Sequence, residues 1–297
     1  SEILFLYDVK DNNPNGDPLD ENKPRIDEET MQNLVTDVRL KRTIRDYLHD
    51  YLDEEVFIRG VKKDDETLKT KEERLDDLEV NTANQLTEKC IDIRLFGATA
   101  AVKKRTITFT GPVQFRIGRS LHRVQLKFIR GTTVYPSGKG KDQGTFTEMY
   151  VLPYSLIGFY GVVNENAAKH TGLTESDVEL LMEGLWNGTK NLISRSKVGQ
   201  MPRLLMKVNY KEKNYHIGDL DRHLTLVTDK REEEIRDPGD YVLEANELLE
   251  TLIKNREKID SIDLAVDKRL NIVKAGEPIN LQLELSKLGP PVSNISF

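Results

Sequence analysis

The chain has 297 residues, a length that suits one large domain or two smaller ones. With 37% hydrophobic residues, 32% charged residues and one cysteine, Cys90, it is a polar globular protein without an internal disulfide framework. No apolar run reaches the ~20 residues of a membrane helix. We therefore expect a reducing, cytoplasmic location and no membrane partner. The net charge of −6 by itself argues against a polyanionic partner.

The cations, however, are concentrated in two segments that contain no Asp or Glu. Residues 95–141 hold ten Lys and Arg residues, and residues 184–211 hold six. Two such tracts in an otherwise acidic chain predict a surface for a polyanion. The simpler alternative is a solvated face without a ligand. Candidate phosphate contacts from these tracts, apart from those on the strands below, are Lys103, Lys104, Arg105, Lys139, Lys141, Arg195 and Lys197.

The N-terminal segment predicts a strand, a turn and a helix. Residues 2–9 are almost continuously apolar, which is typical of a strand buried on both faces. Asn15 and Gly16 follow in a turn that permits positive φ, so that backbone N–H groups could face an anion; a plain turn is the alternative. Residues 32–52 have helical periodicity.

The predicted helix carries three cations at the margin of its apolar stripe. Lys41 and Arg45 are four residues apart and project from one face, and Arg42 lies beside them. Their stems would pack on the core while their heads contact phosphate. Ordinary packing of the stems beside the core, with no ligand, is the alternative.

The middle of the chain predicts an exposed segment followed by strands. Residues 53–89 are highly charged and poorly periodic, and alternation restarts at residues 91–95. Strands are predicted at 106–117 and 122–129, with a common polar face that would form a basic strip. That strip consists of Gln114, Arg116, Arg123, Gln125 and Lys127.

The remaining elements complete a recognisable order. A long loop is predicted at 131–148, followed by a strand, a helix that begins near Thr174 and a strand at 204–208. A helix at 242–257 and a strand at 279–285 end the chain. Without the insertions the order is β-α-β-β-α-β, the ferredoxin-like α+β unit. RNA-recognition (RRM) domains share this topology and carry RNA on their open sheet face.

Signals for catalysis are few. The five histidines lack metal-ligand spacing, and Cys90 lies in no nucleophile motif, so neither a metal nor a cofactor is expected. Asp17, Asp27 and Asp37 lie near the expected basic surface and could assist RNA cleavage. Turn-forming or helix-capping roles explain the same residues more simply.

Several blocks together resemble the Cas7 family of backbone subunits of type I CRISPR Cascade complexes, within the RAMP superfamily and nearest its Csh and Csd branches. The blocks follow the family order over residues 4 to about 210. They are Leu6–Pro18, Pro24–Asp27, Val35–Arg45, Asp92–Ala98, Gly111–Phe115, Val151–Gly161 and Leu180–Asn187.

The resemblance implies an RRM-like palm spanning the chain, interrupted by a finger at 53–104 and a thumb at 131–149. Copies would stack head to tail along CRISPR RNA and present it for pairing with target DNA. Other Cascade subunits (large, small, five-type and six-type) would join them, and a nuclease-helicase would bind transiently. By position, Asn15, Gly16, Lys41, Arg42 and Arg45 match the palm, Lys139 and Lys141 the thumb, and Met149 and Tyr150 its base.

Type I subunits of this family are understood as non-catalytic scaffolds, which is the favoured hypothesis. The runner-up is a metal-dependent ribonuclease that cuts guide-paired target RNA through Asp17 or Asp27, as the related type III subunits use a loop aspartate. A basic-faced protein-interaction module without nucleic acid is the third possibility.

Overall fold

The computed structural model describes residues 1–102, 105–136 and 144–297, with side chains for 1–99, 108–131 and 147–297. The strands of the first half are β1 Glu2–Asn12, β2 Gly16–Asp17, β3 Lys23–Pro24, β4 Gln32–Val35, β5 Gly97–Val102, β6 Arg105–Thr110, β7 Val113–Phe115, β8 Gly118–Arg123, β9 Lys127–Pro136 and β10 Gly144–Val163. The helices of this half are α1 Asp37–Leu52, α2 Lys71–Asp77, α3 Ala83–Lys89 and α4 Ile91–Phe96.

The second half adds helices and shorter strands. Its helices are α5 Glu165–Thr171, α6 Glu175–Lys190, α7 Asn246–Lys254 and α8 Leu281–Ser286. Its strands are β11 Met201–Tyr210, β12 Thr225–Val227, β13 Val242–Glu244, β14 Ile259–Val266, β15 Ile272–Lys274, β16 Glu277–Pro278 and β17 Val292–Asn294. Among the described residues, no helix is long and apolar enough to cross a membrane.

One mixed α+β architecture is organised around a central sheet. Its strand order is β17-β14-β11-β1-β10-β8-β4, and β7 and β9 also pair with β10. Neighbours are antiparallel except for the pair β14 and β17. β1 is central, with Phe5 opposite Phe159 on one side and Leu205 on the other. Its continuous apolar sequence follows from burial on both faces of the sheet.

Helices α1 and α6 cover one face of the sheet. Thr36 caps α1 by accepting a hydrogen bond from the backbone N of Arg39. The two helices approach closely at two glycines of α6: a Cβ on Gly184 would lie 3.0 Å from Ile44, and one on Gly188 would lie 3.0 Å from Tyr47. This contact fixes α1 against the sheet and so fixes the position of its N-terminal turn.

The other face of the sheet lies beneath the C-terminal lobe, residues 211–297. Leu4, Leu6 and Met206 from the sheet share a buried cluster with Leu243 and Leu248 of this lobe. Unlike the open sheet face of an RRM domain, this face is therefore covered within the chain itself. An apolar face of this size must be covered in water, and the lobe covers it.

Residues 53–99 are more ordered than their charge indicates. They contain α2, α3 and a separate buried cluster that includes Phe57, Leu75 and Leu86. The fully buried Asp92 accepts hydrogen bonds from Arg45 and from the backbone N of Phe57, so this segment is fastened to α1. The prediction of an exposed segment is wrong for the side chains of this cluster, which are buried.

Three further element predictions are wrong, and two predicted helices begin too early in the chain. The expected strands at 91–95 and 279–285 are the short helices α4 and α8. The expected helix at 32–52 is preceded by strand β4, and the one at 242–257 begins with strand β13. The expected loop at 131–148 is the continuation of β9 and the start of β10, while residues 137–143 lie outside the described part.

Candidate nucleic-acid interface

Two loops meet at the end of β1. The backbone N of Asn13 donates to Ser196 O at 3.2 Å, and Asn12 Nδ2 donates to Val198 O at 2.6 Å. Lys197 Nζ donates to the carbonyl of Asn13. The acid-free segment 184–211 is thereby joined to the turn after β1.

The charge of Arg39 on α1 acts on Lys197 at this junction. We call these two residues, together with the Asn13–Gly16 turn, the α1 track. Burial lowers the pKa of Lys197 to about 8, and the nearby Arg39 charge contributes in the same direction. Burial also lowers the pKa of Arg39. Among the described residues no carboxylate forms an ion pair with Arg39 or Lys197. The Asp46 charge acts on Arg39 from a distance, but neither cation has a paired carboxylate among the described residues, so an anion bound here would stabilise both charges.

Asn15 and Gly16 shape the track through their packing. Asn15 Oδ1 accepts hydrogen bonds from the backbone N and the hydroxyl of Thr36, both at 2.9 Å, and so supports the start of α1. A Cβ on Gly16 would lie 2.1 Å from Asn22 Oδ1, so only glycine fits. The two residues hold the turn against the N-terminal end of α1.

An aromatic pair lies beside the track at the start of the β9–β10 hairpin. The rings of Tyr150 and Phe128 are 5.0 Å apart between centroids, and Lys23 Nζ lies 5.2 Å from the centre of the Tyr150 ring. Arg195 Nη2 lies 3.7 Å from the sulfur of Met149. Phe128 is 44% exposed. Exposed aromatic rings next to cations are suited to stacking on nucleobases.

Lys41 and Arg45 are not free to contact phosphate in this structure. Lys41 Nζ donates to Asp37 and Gln114 at 3.1 and 2.9 Å, and Arg45 Nε donates to Asp92 at 2.8 Å. Both side chains are buried over the Phe96 ring. The expectation that their heads project into solvent is wrong, whereas Arg42 is exposed and pairs with Asp46.

The predicted basic strip is divided among separate strands, and carboxylates pair with its arginines. Arg116 and Arg123 of that strip, together with Arg119 between them on β8, are named here the β8 strip. Arg116 contacts Asp219 and Asp221 at 2.5 Å each, Arg119 contacts Asp27 at 2.8 Å, and Arg123 contacts Glu233 at 3.2 Å. Lys127 is exposed but begins β9, which pairs only with β10 among the described strands. The prediction of one continuous two-stranded strip is wrong, because β7, β8 and β9 each pair separately with β10.

Four predicted contacts lie outside the described residues: Lys103, Lys104, Lys139 and Lys141. Arg105 lies on β6, but its side chain is not among those described.

The acidic candidates are engaged in local structure. Asp17 pairs with Arg25 at 2.9 Å and caps the backbone N of Leu19. Arg119 and the backbone N–H groups of Glu29 and Thr30 hold the pKa of Asp27 below its usual value. Within the described part of the chain, no group of three or more His, Cys, Asp or Glu side chains is arranged to hold a metal ion.

Sequence reasoning missed two residues of this interface, Arg39 and Phe128. Arg39 lies three residues before Arg42 and therefore on the same side of α1, a spacing that could have identified it. From its sequence, Phe128 looked like a core residue of a strand. In the structure it is half-exposed and lies opposite Tyr150 in the β9–β10 pair.

Known proteins are similar to this sequence over nearly its whole length. The family model for "CRISPR-associated protein Cas7" matches residues 1–246. A curated relative from Haloferax volcanii, "CRISPR-associated protein Cas7", is 36% identical over 330 aligned positions, which cover 99% of this chain and 96% of the relative.

Solved structures resemble the fold at low sequence identity. A chain of a "CRISPR RNA-guided surveillance complex, pre-nicking" superposes with a TM-score of 0.58 and 14% identity, covering 97% of this chain and 98% of that chain. A chain of a "CRISPR RNA-guided surveillance complex" gives a TM-score of 0.54 and 14% identity, covering 98% and 94%.

Proposed function

Because the chain belongs to the Cas7 family of CRISPR-associated proteins, we propose that it is a non-catalytic, RNA-binding backbone subunit of a type I CRISPR RNA-guided surveillance complex. In this proposal it acts in the cytoplasm in antiviral defence. Copies stack head to tail along CRISPR RNA, and the exposed bases of the guide pair with target DNA. The partners are the other Cascade subunits and, transiently, a nuclease-helicase.

The observation that carries the proposal is the α1 track. Arg39 and Lys197 crowd two positive charges without a carboxylate partner among the described residues, and the pKa of Lys197 is lowered to about 8. A phosphodiester would supply the missing negative charge. The neighbouring Phe128 and Tyr150 rings offer stacking surfaces for bases of the same strand.

The strand order supports an RRM-like palm within this proposal. The segment β11-β1-β10-β8 has the order expected when a β-α-β-β-α-β unit forms one antiparallel sheet, with α1 and α6 as its two helices. Residues 53–104 and 131–149 are then the finger and thumb insertions. Because the C-terminal lobe covers the sheet face, RNA would run along the end of β1 instead.

The proposal is tested by neutralising the track. Arg39→Gln with Lys197→Gln should weaken binding of single-stranded RNA of any sequence and reduce the slope of log K against log salt by about 1.4, the loss of two phosphate contacts. Filter binding at several salt concentrations measures this slope. Lys254→Gln with Lys268→Gln removes the same charge from exposed positions of the C-terminal lobe and is the matched control. Equal slopes for both double variants would overturn the track as the RNA site.

A further inference from the structure

A groove of 710 Å³ lies between β8 and β12, where the C-terminal lobe meets the edge of the central sheet, and we call it the β8–β12 groove. Its volume is within the range of binding sites in proteins. Leu121 and Gly158 line it from the sheet, Leu224 and Leu226 line it from the lobe, and Asp27 lines it from the turn before β4. Three separate parts of the chain therefore form the groove.

The lobe presents an open strand edge to this groove. Strand β12 pairs only with β13 among the described strands. The backbone N–H groups of Leu243 and Ala245 on β13 donate to Asn271 and Val273, away from β12. Because Leu226 lies opposite Leu243, its own backbone N–H and C=O point away from β13. Neither group has a hydrogen-bond partner among the described residues, so an extended protein segment could pair with them.

The groove also has apolar walls. Ile117, which is 53% exposed, and the half-buried Leu226 both line it. Apolar walls beside an open strand edge favour a protein segment over RNA, because a polypeptide offers apolar side chains together with backbone donors and acceptors.

The charged side chains of the lining leave one cation in excess. Two of its arginines pair with its two carboxylates, Arg116 with Asp221 and Arg119 with Asp27. The third arginine, Arg222, has a side chain that is 72% exposed and lies 3.9 Å from Asp219, beyond hydrogen-bond distance. A partner that suits the groove therefore carries an apolar side chain next to a negative charge.

The chain itself has a segment of this chemistry, residues 17–22, which we call the acidic tip. Leu19 at its centre is 98% exposed. The backbone N–H groups of Asp20 and Asn22 both donate to the carbonyl of Asp17, at 3.1 and 2.8 Å. The tip is therefore a hydrogen-bonded turn that presents a leucine to solvent.

The tip carries a net negative charge. The side chains of Asp20 and Glu21 are 61% and 69% exposed, and both pair with a single cation, Lys23. Two carboxylates and one amine leave one negative charge in excess. This charge is complementary to the excess cation of the groove.

Tip and groove lie on different sides of the central sheet. Asn13 Nδ2 donates to Asn22 O at 2.6 Å, which joins the tip to the α1 track beside α1. The groove lies on the side of the C-terminal lobe. A contact between two different patches leaves one free patch at each end, so it can repeat along a row of copies.

We propose that the acidic tip of one copy docks in the β8–β12 groove of the next copy. Leu19 lies against Ile117 and Leu226, and a carboxylate of the tip pairs with Arg222. Backbone groups of the tip approach the open edge of β12. This inference rests on the head-to-tail stacking in the proposed function, and it names the two surfaces that meet in that stacking.

The experiment cross-links full-length chains assembled on single-stranded RNA. Leu19→Cys with Ile117→Cys, oxidised with copper phenanthroline, should give a ladder of disulfide-linked multimers on a non-reducing gel, because every copy supplies one tip and one groove. Either single variant should give no species larger than a dimer. Cys90 is fully buried, so the wild-type chain serves as the blank.

Matched variants control for exposure and charge. Leu283→Cys with Ile117→Cys should give no ladder, since Leu283 on α8 is 63% exposed but lies outside both surfaces. Arg222→Glu, added to the cross-linking pair, should lower the cross-linked fraction about twofold to fivefold, the effect of one exposed charge pair. Arg231→Glu, at a side chain that is 79% exposed, should leave it unchanged. Thermal unfolding verifies that all variants fold.

Each outcome decides the question. A ladder that is confined to the Leu19 and Ile117 pair and reduced by Arg222→Glu supports the proposal. No ladder from chains that electron microscopy shows stacked along RNA, or an equal ladder from the Leu283 control, overturns the contact and leaves the proposed function standing. Dimers alone from the double variant would indicate a closed two-fold contact and overturn the inference. Weaker RNA binding by Arg222→Glu with unchanged cross-linking would assign the groove to RNA and also overturn it. If wild type neither binds RNA nor stacks, both proposals fail.

Discussion

The α1 track and the β8 strip each contain cations that the sequence makes candidates for RNA contact, Lys197 in the first and Arg116 and Arg123 in the second, yet their surroundings in the fold differ. In the β8 strip each arginine meets a carboxylate from a distant part of the chain. In the α1 track, the charge of Arg39 lowers the pKa of Lys197, and neither residue has a paired carboxylate among the described residues. The C-terminal lobe causes much of this difference, because its acidic residues pair with Arg116 and Arg123. Near the end of β1, its Asp237 pairs with Lys10 and with neither Arg39 nor Lys197.

The comparison shows that absence of acids along the sequence does not make a surface basic. Asp219 and Glu233 are about a hundred residues from the arginines they neutralise. Conversely, Arg39 has Asp37 two residues away, yet no carboxylate is paired with it among the described side chains. The lobe covers the apolar sheet face; under the proposed function it would also confine RNA to the track.

The largest expected effect distinguishes the carboxylate-paired cations of α1 from the cations of the α1 track. Asp92→Ala should cost about 3–5 kcal/mol of unfolding free energy, because it leaves Arg45 buried without its partner. It also removes the acceptor for the backbone N–H groups of Phe57 and Ile58. Urea unfolding measures the loss.

Asp46→Ala is the control for this variant, since it breaks the exposed pair with Arg42 on the same helix. Exposed pairs contribute little to stability. A loss for Asp92→Ala no larger than that of the control would contradict a structural role for Arg45 and return it to the candidate RNA contacts.

The second prediction removes the acids that cover the β8 strip. Asp219→Asn with Asp221→Asn frees Arg116, and each additional phosphate bound by the protein should steepen the salt dependence of RNA binding by about 0.7. Asp229→Asn with Asp260→Asn changes net charge equally at exposed positions and should leave the slope unchanged. If the two double variants have the same slope and both fold, the lobe does not restrict where RNA binds.

The sequence predicted the long, strongly periodic elements and misassigned short ones. β1, α1, β10, α6 and β11 are where periodicity placed them, apart from their ends. Alternating apolar residues misidentified α8, in which Leu281 and Leu285 are buried one turn apart while Leu283 is 63% exposed. In six residues a helical and a strand pattern share too many positions to be separated.

The candidate site was predictable only where neighbours in sequence are neighbours in space. The block 35–45 identified the helix that contributes to the interface but not the cations of that helix that belong to it. Arg45 is buried because it pairs with Asp92, which is 47 residues away in the sequence. Met149 and Tyr150 do lie beside Arg195 and Lys23, as a shared interface requires. Whether they contact RNA remains a prediction.

The third prediction uses the pKa of Lys197, about 8 in the free protein. Bound phosphate favours the protonated amine, so RNA affinity should be highest below pH 8 and fall above it, by at most about tenfold per pH unit for one proton. In the same range, up to the ordinary lysine pKa of about 10.4, the unfolding free energy of the free protein should rise, because the unfolded chain holds this proton more tightly.

Lys197→Gln removes the titrating group and should flatten both profiles between pH 8 and pH 10 relative to wild type. Lys268→Gln, at an exposed position of the C-terminal lobe, should leave them unchanged. An affinity profile of wild type that matches that of Lys197→Gln would show that the track does not contact RNA through this amine.

The smallest expected effect concerns chemistry. Asp27 contacts Arg119 of the β8 strip and accepts two backbone hydrogen bonds, which is how a turn-forming carboxylate is used. With assembled complex, complementary RNA and Mg²⁺, wild type and Asp27→Ala should both leave the RNA intact on a denaturing gel. Regularly spaced cuts by wild type that disappear in Asp27→Ala would make the chain a ribonuclease. In that case the β8 strip, and not the α1 track, would be where the target strand is cleaved, and the roles of the two regions would have to be exchanged.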